Sequence, residues 1–223
     1  RGREASRIAE NSLRIATVIA LPMGVGLSVL SEPIMTVIYP GSHESGPELL
    51  LLMGAASFFV CMALMMNAIL QAGGNEKYPI YSMVIGGVVK IAVNWFLVAD
   101  PRVNILGAPI GTLSCYAVMC VMDYIFLCRV MPDRPRLGRV LARPVLSCAA
   151  MGLAAWAVYG LSVRFIGGAQ AGGLLTALCM CLAIGVAVII YLVLTVLTRA
   201  VTYEDMKLIP KGEKLARLLR IKP

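Results

Sequence analysis

The sequence predicts an all-α integral membrane protein. Apolar residues fill 59% of the 223 positions and charged residues 14%, and the charges cluster in short stretches between long uncharged runs. Soluble domains average about 45–50% apolar and about 25% charged residues, so a water-soluble chain of this composition would lack polar surface. Clustered charge between apolar runs is the layout of a helical membrane protein.

A helix needs about 20 apolar residues to cross a hydrocarbon core of about 30 Å, at about 1.5 Å per residue. Six stretches reach that length: Ile15 to Tyr39, Leu49 to Gln71, Tyr78 to Ala99, Ile105 to Val130, Ala142 to Ile166 and Leu174 to Thr198. The first holds Pro22, Gly24, Gly26 and Pro33. It is therefore expected to kink or partly unwind, with its freed carbonyls turned to protein or water. The chain starts at Arg1 with no methionine, and a basic arm runs into the first span, which reads as a fragment of a longer protein. No small-x-small cleavage site follows Leu30, as a secretory signal would require. After Thr198 the sequence turns polar. Leu215, Leu218 and Leu219 share a helical face opposite Arg217 and Arg220, the pattern of a helix lying on a membrane surface.

Basic residues fix the expected direction of insertion. Of the 20 Lys and Arg, all but Lys90, Arg102 and Arg164 lie in the N-terminal arm, the second and fourth connections or the C-terminal tail. By the positive-inside rule those regions, and with them both termini, are cytoplasmic in the plasma membrane. The net charge of +8 raises nucleic acid as a partner. The basic residues are not interleaved with aromatics, however, and anionic membrane lipid is the expected partner instead.

Chemistry-bearing motifs are absent from the sequence. The seven cysteines fall in or at the ends of apolar runs and read as small buried hydrophobes. Cys179 and Cys181 diverge by about 200° on a helix, which is wrong for sharing a metal. His43 stands alone in a polar loop. No glycine-rich nucleotide loop appears, so neither an enzyme nor a cofactor is expected.

Five motifs in order carry a family resemblance. They are Leu21-Pro22-Met23-Gly24-Val25-Gly26-Leu27 with Leu30-Ser31-Glu32-Pro33-Ile34, Asn67-Ala68-Ile69-Leu70-Gln71-Ala72-Gly73-Gly74, Lys90-Ile91-Ala92-Val93-Asn94, Gly107-Ala108-Pro109-Ile110-Gly111-Thr112, and a tail from Glu204-Asp205-Met206 to Ile209-Pro210-Lys211-Gly212. Together they resemble the polysaccharide transporter and stage V sporulation protein B family. That family belongs to the multidrug, oligosaccharidyl-lipid and polysaccharide exporter superfamily. The resemblance implies helices nine to fourteen of a fourteen-helix, two-lobe flippase. Residues 1–133 would complete the second lobe, 134–200 would be the extra helix pair, and 201–223 the cytoplasmic tail. The partners implied are a lipid-linked saccharide and the N-terminal lobe of the same protein. Such a transporter needs a wet cationic cavity for pyrophosphate and sugar, and an apolar side opening for the polyprenyl chain.

Polar groups inside the spans are the candidate site, because a charge at mid-membrane costs several kcal/mol on insertion scales. Lys90 and Asn94, one turn apart, make one polar stripe and Asn67 and Gln71 another. These four are expected to line the substrate pathway, although a helix-packing role is open to each. Asp123 and Glu32 are candidates for a proton or cation site. Arg134, Arg136, Arg139 and Arg143 are expected to meet lipid headgroups. Three functions compete: a flippase for a lipid-linked oligosaccharide or peptidoglycan precursor, a cation-coupled multidrug exporter of the same superfamily, and a non-transporting scaffold in cell-wall or spore-envelope assembly. Carboxylates in the cavity would favour the exporter, and Lys90 favours the flippase.

Overall fold

The computed structural model describes residues 2–39, 45–101, 103–131, 137–166 and 173–197. His43, Arg102, Arg134, Arg136 and the expected surface helix of the tail lie outside them. The helices are α1 (Gly2–Val29), α2 (Ser31–Ile38), α3 (Gly46–Ala72), α4 (Lys77–Val98), α5 (Gly107–Val130), α6 (Leu137–Ile166) and α7 (Gly173–Leu197), with a 3₁₀ turn at Asn104–Leu106 before α5. Six are long and apolar enough to span a membrane: Glu4–Val29, Gly46–Ala72, Lys77–Val98, Asn104–Val130, Leu141–Arg164 and Thr176–Thr195. The chain is a multi-pass, all-α membrane protein. Its surface fits a bilayer, with Trp95, Phe96, Ile91 and Trp156 each at least 70% exposed, where water would penalise them.

The first span differs most from its expected limits. The basic arm is not a loop, because helix starts at Gly2, and Glu4 in the first turn complements the positive end of the helix dipole. The helix then runs straight through Pro22 and is interrupted only at Leu30. Pro33 explains the position of the break, since it has no N–H to offer the Val29 carbonyl one turn back. Pro22 likewise leaves the Val18 carbonyl without a helical donor. Protein fills that vacancy: the Tyr191 hydroxyl of α7 donates to Val18 O at 2.7 Å.

Packing follows a spatial order unlike the chain order. α4 packs on α5, α5 on α3, α3 on α1, α1 on α6 and α6 on α7, while α2 touches α3 and α7. Small residues set the tightest crossing, as is usual where no water drives helices together. A Cβ placed on Gly54 of α3 would lie 2.8 Å from Ser28 N and 2.9 Å from Gly24 O of α1. The Ser28 hydroxyl donates across the same crossing to Leu51 O at 2.9 Å. Between α1, α3 and α5 the core is filled by Leu13, Met62, Met66, Leu70, Met119 and Leu127.

Candidate functional site

α4 carries polar groups at two levels, and each faces different neighbours. Ser82 stands five residues into α4, Asn67 five residues before the end of α3, and Asp123 seven before the end of α5. Antiparallel helices with those offsets bring all three to one depth, about 8–10 Å from the same ends. They meet there. Asp123 and Ser82 are 0% exposed and Asn67 is 4% exposed. With the Asn67 amide turned so that both groups are satisfied, its nitrogen donates to Asp123 Oδ2 at 3.1 Å and Oδ1 at 3.2 Å. The Ser82 hydroxyl is the other partner of the carboxylate. It also lies 3.3 Å from the Tyr78 carbonyl of its own helix, so two acceptors compete for one proton. Among the described residues, no cation pairs with Asp123.

Lys90 and Asn94 lie two and three turns further along α4 and are half-buried. The side-chain oxygen of Asn94 is pressed onto Gly111 of α5, where a Cβ would collide with it, and it is buried with no hydrogen-bond partner. Lys90 lies near Cys115 of α5. Among the described residues it makes no ion pair or hydrogen bond. The Asn67–Gln71 stripe is divided, with Asn67 inside and Gln71 exposed. Glu32 is exposed in the first turn of α2, near Tyr159 of α6. Arg139 and Arg143 fall in the first two turns of α6, and Arg143 is exposed.

A third feature is an apolar groove of about 490 Å³ enclosed by α1, α2, α6 and α7 and lined by residues that include Pro22, Leu27, Leu30, Met151, Val188 and Tyr191. Its one aromatic hydroxyl is already committed to Val18. The groove is dry. Among the described residues no group of His, Cys, Asp and Glu is arranged to hold a metal; Cys179 is buried, Cys181 exposed, and both are free thiols.

Ser82 and Tyr191 were not singled out by sequence reasoning. Each had a weak signal. Ser82 is one of few polar residues in an apolar span, and Pro22 announces a carbonyl that needs a donor from elsewhere.

A family model described as lipid II flippase MurJ matches residues 2–179. Lipid II flippase MurJ of Bacillus subtilis (strain 168) is 31% identical over 113 residues, which is 49% of this chain and 20% of that relative. The matched stretch thus spans about a fifth of the relative's length. No solved structure matches. The lipid-linked flippase superfamily indicated by the five motifs is the one found, through its lipid II branch. The chain belongs to the lipid II flippase MurJ family.

Proposed function

We propose that these six spans form part of a flippase that carries a lipid-linked peptidoglycan precursor from the cytoplasmic to the outer leaflet by alternating access. The protein sits in the plasma membrane with the N-terminus of α1 on the cytoplasmic side, as the basic residues indicate. Transport needs no covalent step and no cofactor, so the protein is not an enzyme. The first four spans contribute to one lobe, α6 and α7 are the added pair, and the remaining helices come from the rest of the protein. The polysaccharide transporter and stage V sporulation motifs agree on substrate class, a saccharide on a lipid carrier.

Lys90 is the observation that carries this reading. It stands about 20 Å from the start of α4 and about 12 Å from its end, without an anionic partner among the described residues. A lysine stem of about 6 Å does not reach either surface from there. A bound pyrophosphate in a wet cavity satisfies the charge, with Asn94 one turn away to bind the headgroup. An exporter of organic cations needs carboxylates in reach, yet Asp123 is fully enclosed and held by Asn67 and Ser82. The apolar groove beside α6 and α7 suits the polyprenyl chain. Full-length protein in proteoliposomes should move the headgroup of fluorescent lipid II across the bilayer. A scaffold would leave it in its original leaflet.

A further inference from the structure

The two ends of the Asn94 carboxamide have unlike surroundings. Asn94 lies four residues before the end of α4, and Gly111 four residues after the start of α5. The antiparallel pair therefore brings them to one depth, about 6 Å from those ends. There the Asn94 oxygen is enclosed without a hydrogen-bond partner. A Cβ on Gly111 would overlap that oxygen and lie 2.9 Å from Asn94 Cγ, so the carboxamide rests where an alanine methyl would stand. The amide nitrogen is not enclosed, and among the described residues it makes no hydrogen bond. The reversed amide would fare worse, because a glycine Cα–H is a weak donor that an oxygen can meet at a helix crossing, whereas an N–H there would face carbon-bound hydrogens alone. Gly111 thus favours oxygen inward and nitrogen outward.

The outward side is the side of Lys90. Gly87, Lys90 and Asn94 follow one another at three- and four-residue spacing and share one stripe of α4. A Cβ on Gly87 would meet nothing within 4 Å, so the space beside Lys90 is open, and Lys90 makes no ion pair or hydrogen bond among the described residues.

We propose that Gly111 is a positioning residue for substrate: it turns Asn94 so that the amide N–H groups and the Lys90 ammonium form a donor-only seat for the pyrophosphate of a lipid-linked substrate. This deepens the flippase reading and rests on it for the identity of the anion. An ammonium has donors and no acceptor, and the one acceptor of the amide faces α5. Such a seat takes anionic oxygens. It rejects a hard cation, which needs oxygen ligands.

Binding of fluorescent lipid II to the full-length protein in nanodiscs, measured beside its flipping in proteoliposomes, tests the seat. Asn94→Ala should weaken binding by about tenfold, the loss of a hydrogen bond to a charged group. Asn94→Asp should bind more weakly still, since a carboxylate of the same shape offers no donor, repels the headgroup and draws Lys90 to itself. Gly111→Ala should weaken binding about as much as Asn94→Ala does, and no further in an Asn94→Ala background, where its methyl has no carboxamide to displace. The two Asn94 variants keep the test open if Gly111→Ala does not fold. Binding by Asn94→Asp at or above that of Asn94→Ala would overturn the proposal, as would an undiminished loss from Gly111→Ala in the Asn94→Ala background, or no binding by wild type. A wild type that binds with the expected ranking of variants yet leaves lipid II in its original leaflet would support the seat and refute the flippase reading.

Discussion

Gly54 and Gly26 provide a matched pair for testing whether backbone approach at the α1–α3 crossing holds the bundle. Both are in-span helical glycines. In a helix, alanine is favoured over glycine by about 0.5–1 kcal/mol, so that term is common to Gly54→Ala and Gly26→Ala. Steric surroundings differ. A Cβ on Gly26 meets nothing within 4 Å, while one on Gly54 meets the Ser28 hydroxyl at 2.5 Å, Ser28 N at 2.8 Å and Gly24 O at 2.9 Å. The hydroxyl could rotate, but the two backbone atoms move only if a helix moves. Ordinary contact starts near 3.4 Å, so α1 and α3 must part by about half an ångström. A gap of that size forfeits about a quarter or more of the dispersion energy of each contact along the seam. It also stretches the Ser28–Leu51 hydrogen bond from 2.9 Å. Overpacking of this kind costs about 1–3 kcal/mol. Gly26→Ala should be neutral or slightly stabilising in detergent-titrated unfolding of the full-length protein, with Gly54→Ala about 1–3 kcal/mol below it. Equal stability of the two variants would refute the reasoning.

Tyr191→Phe should cost about 1–2 kcal/mol by stranding the Val18 carbonyl, and much less in a Pro22→Ala background, where residue 22 regains an N–H; thermal unfolding of the four-member cycle reads the coupling. For orientation, a single cysteine at Glu48 in a cysteine-free protein should react with an impermeant thiol reagent from outside, and one at Lys77 only after permeabilisation. The reverse pattern would invert the topology.

Much of the fold was legible because membrane spans are a length and composition problem. Leu49 to Gln71 and Tyr78 to Ala99 fall within about three residues of α3 and α4, since glycine, proline and polar residues bracket both apolar runs. Ile15 failed as a starting point because hydropathy marks where apolar residues begin, not where helix does. Arg7 and Arg14 are polar yet good helix formers, and a helix continues past the interface when nothing breaks it. Pro22 was correctly read as freeing a carbonyl, but its donor lies 173 positions away from Val18, a separation that no local pattern encodes. Asn67 and Asp123 were each singled out by their polarity inside a span. Their pairing was not legible, because it depends on α3 and α5 packing together while α4 brings Ser82 to the same level. Asn67–Gln71 shows the limit from the other side, since two residues one turn apart share a face only loosely, and a boundary between core and surface can pass between them.

The central claim is that Lys90, which has no anionic partner among the described residues, meets an anionic lipid headgroup during transfer, and proteoliposome flipping of lipid II by Lys90 variants of the full-length protein tests it most directly. Loss of a charge-assisted contact worth about 1.5–3 kcal/mol corresponds to a rate loss of about ten- to a hundredfold. Lys90→Ala should show that loss with thermal stability near the parent's, and Lys90→Arg should retain part of the rate because the charge remains. Parental flipping by Lys90→Ala, or a loss explained by unfolding, would contradict the account.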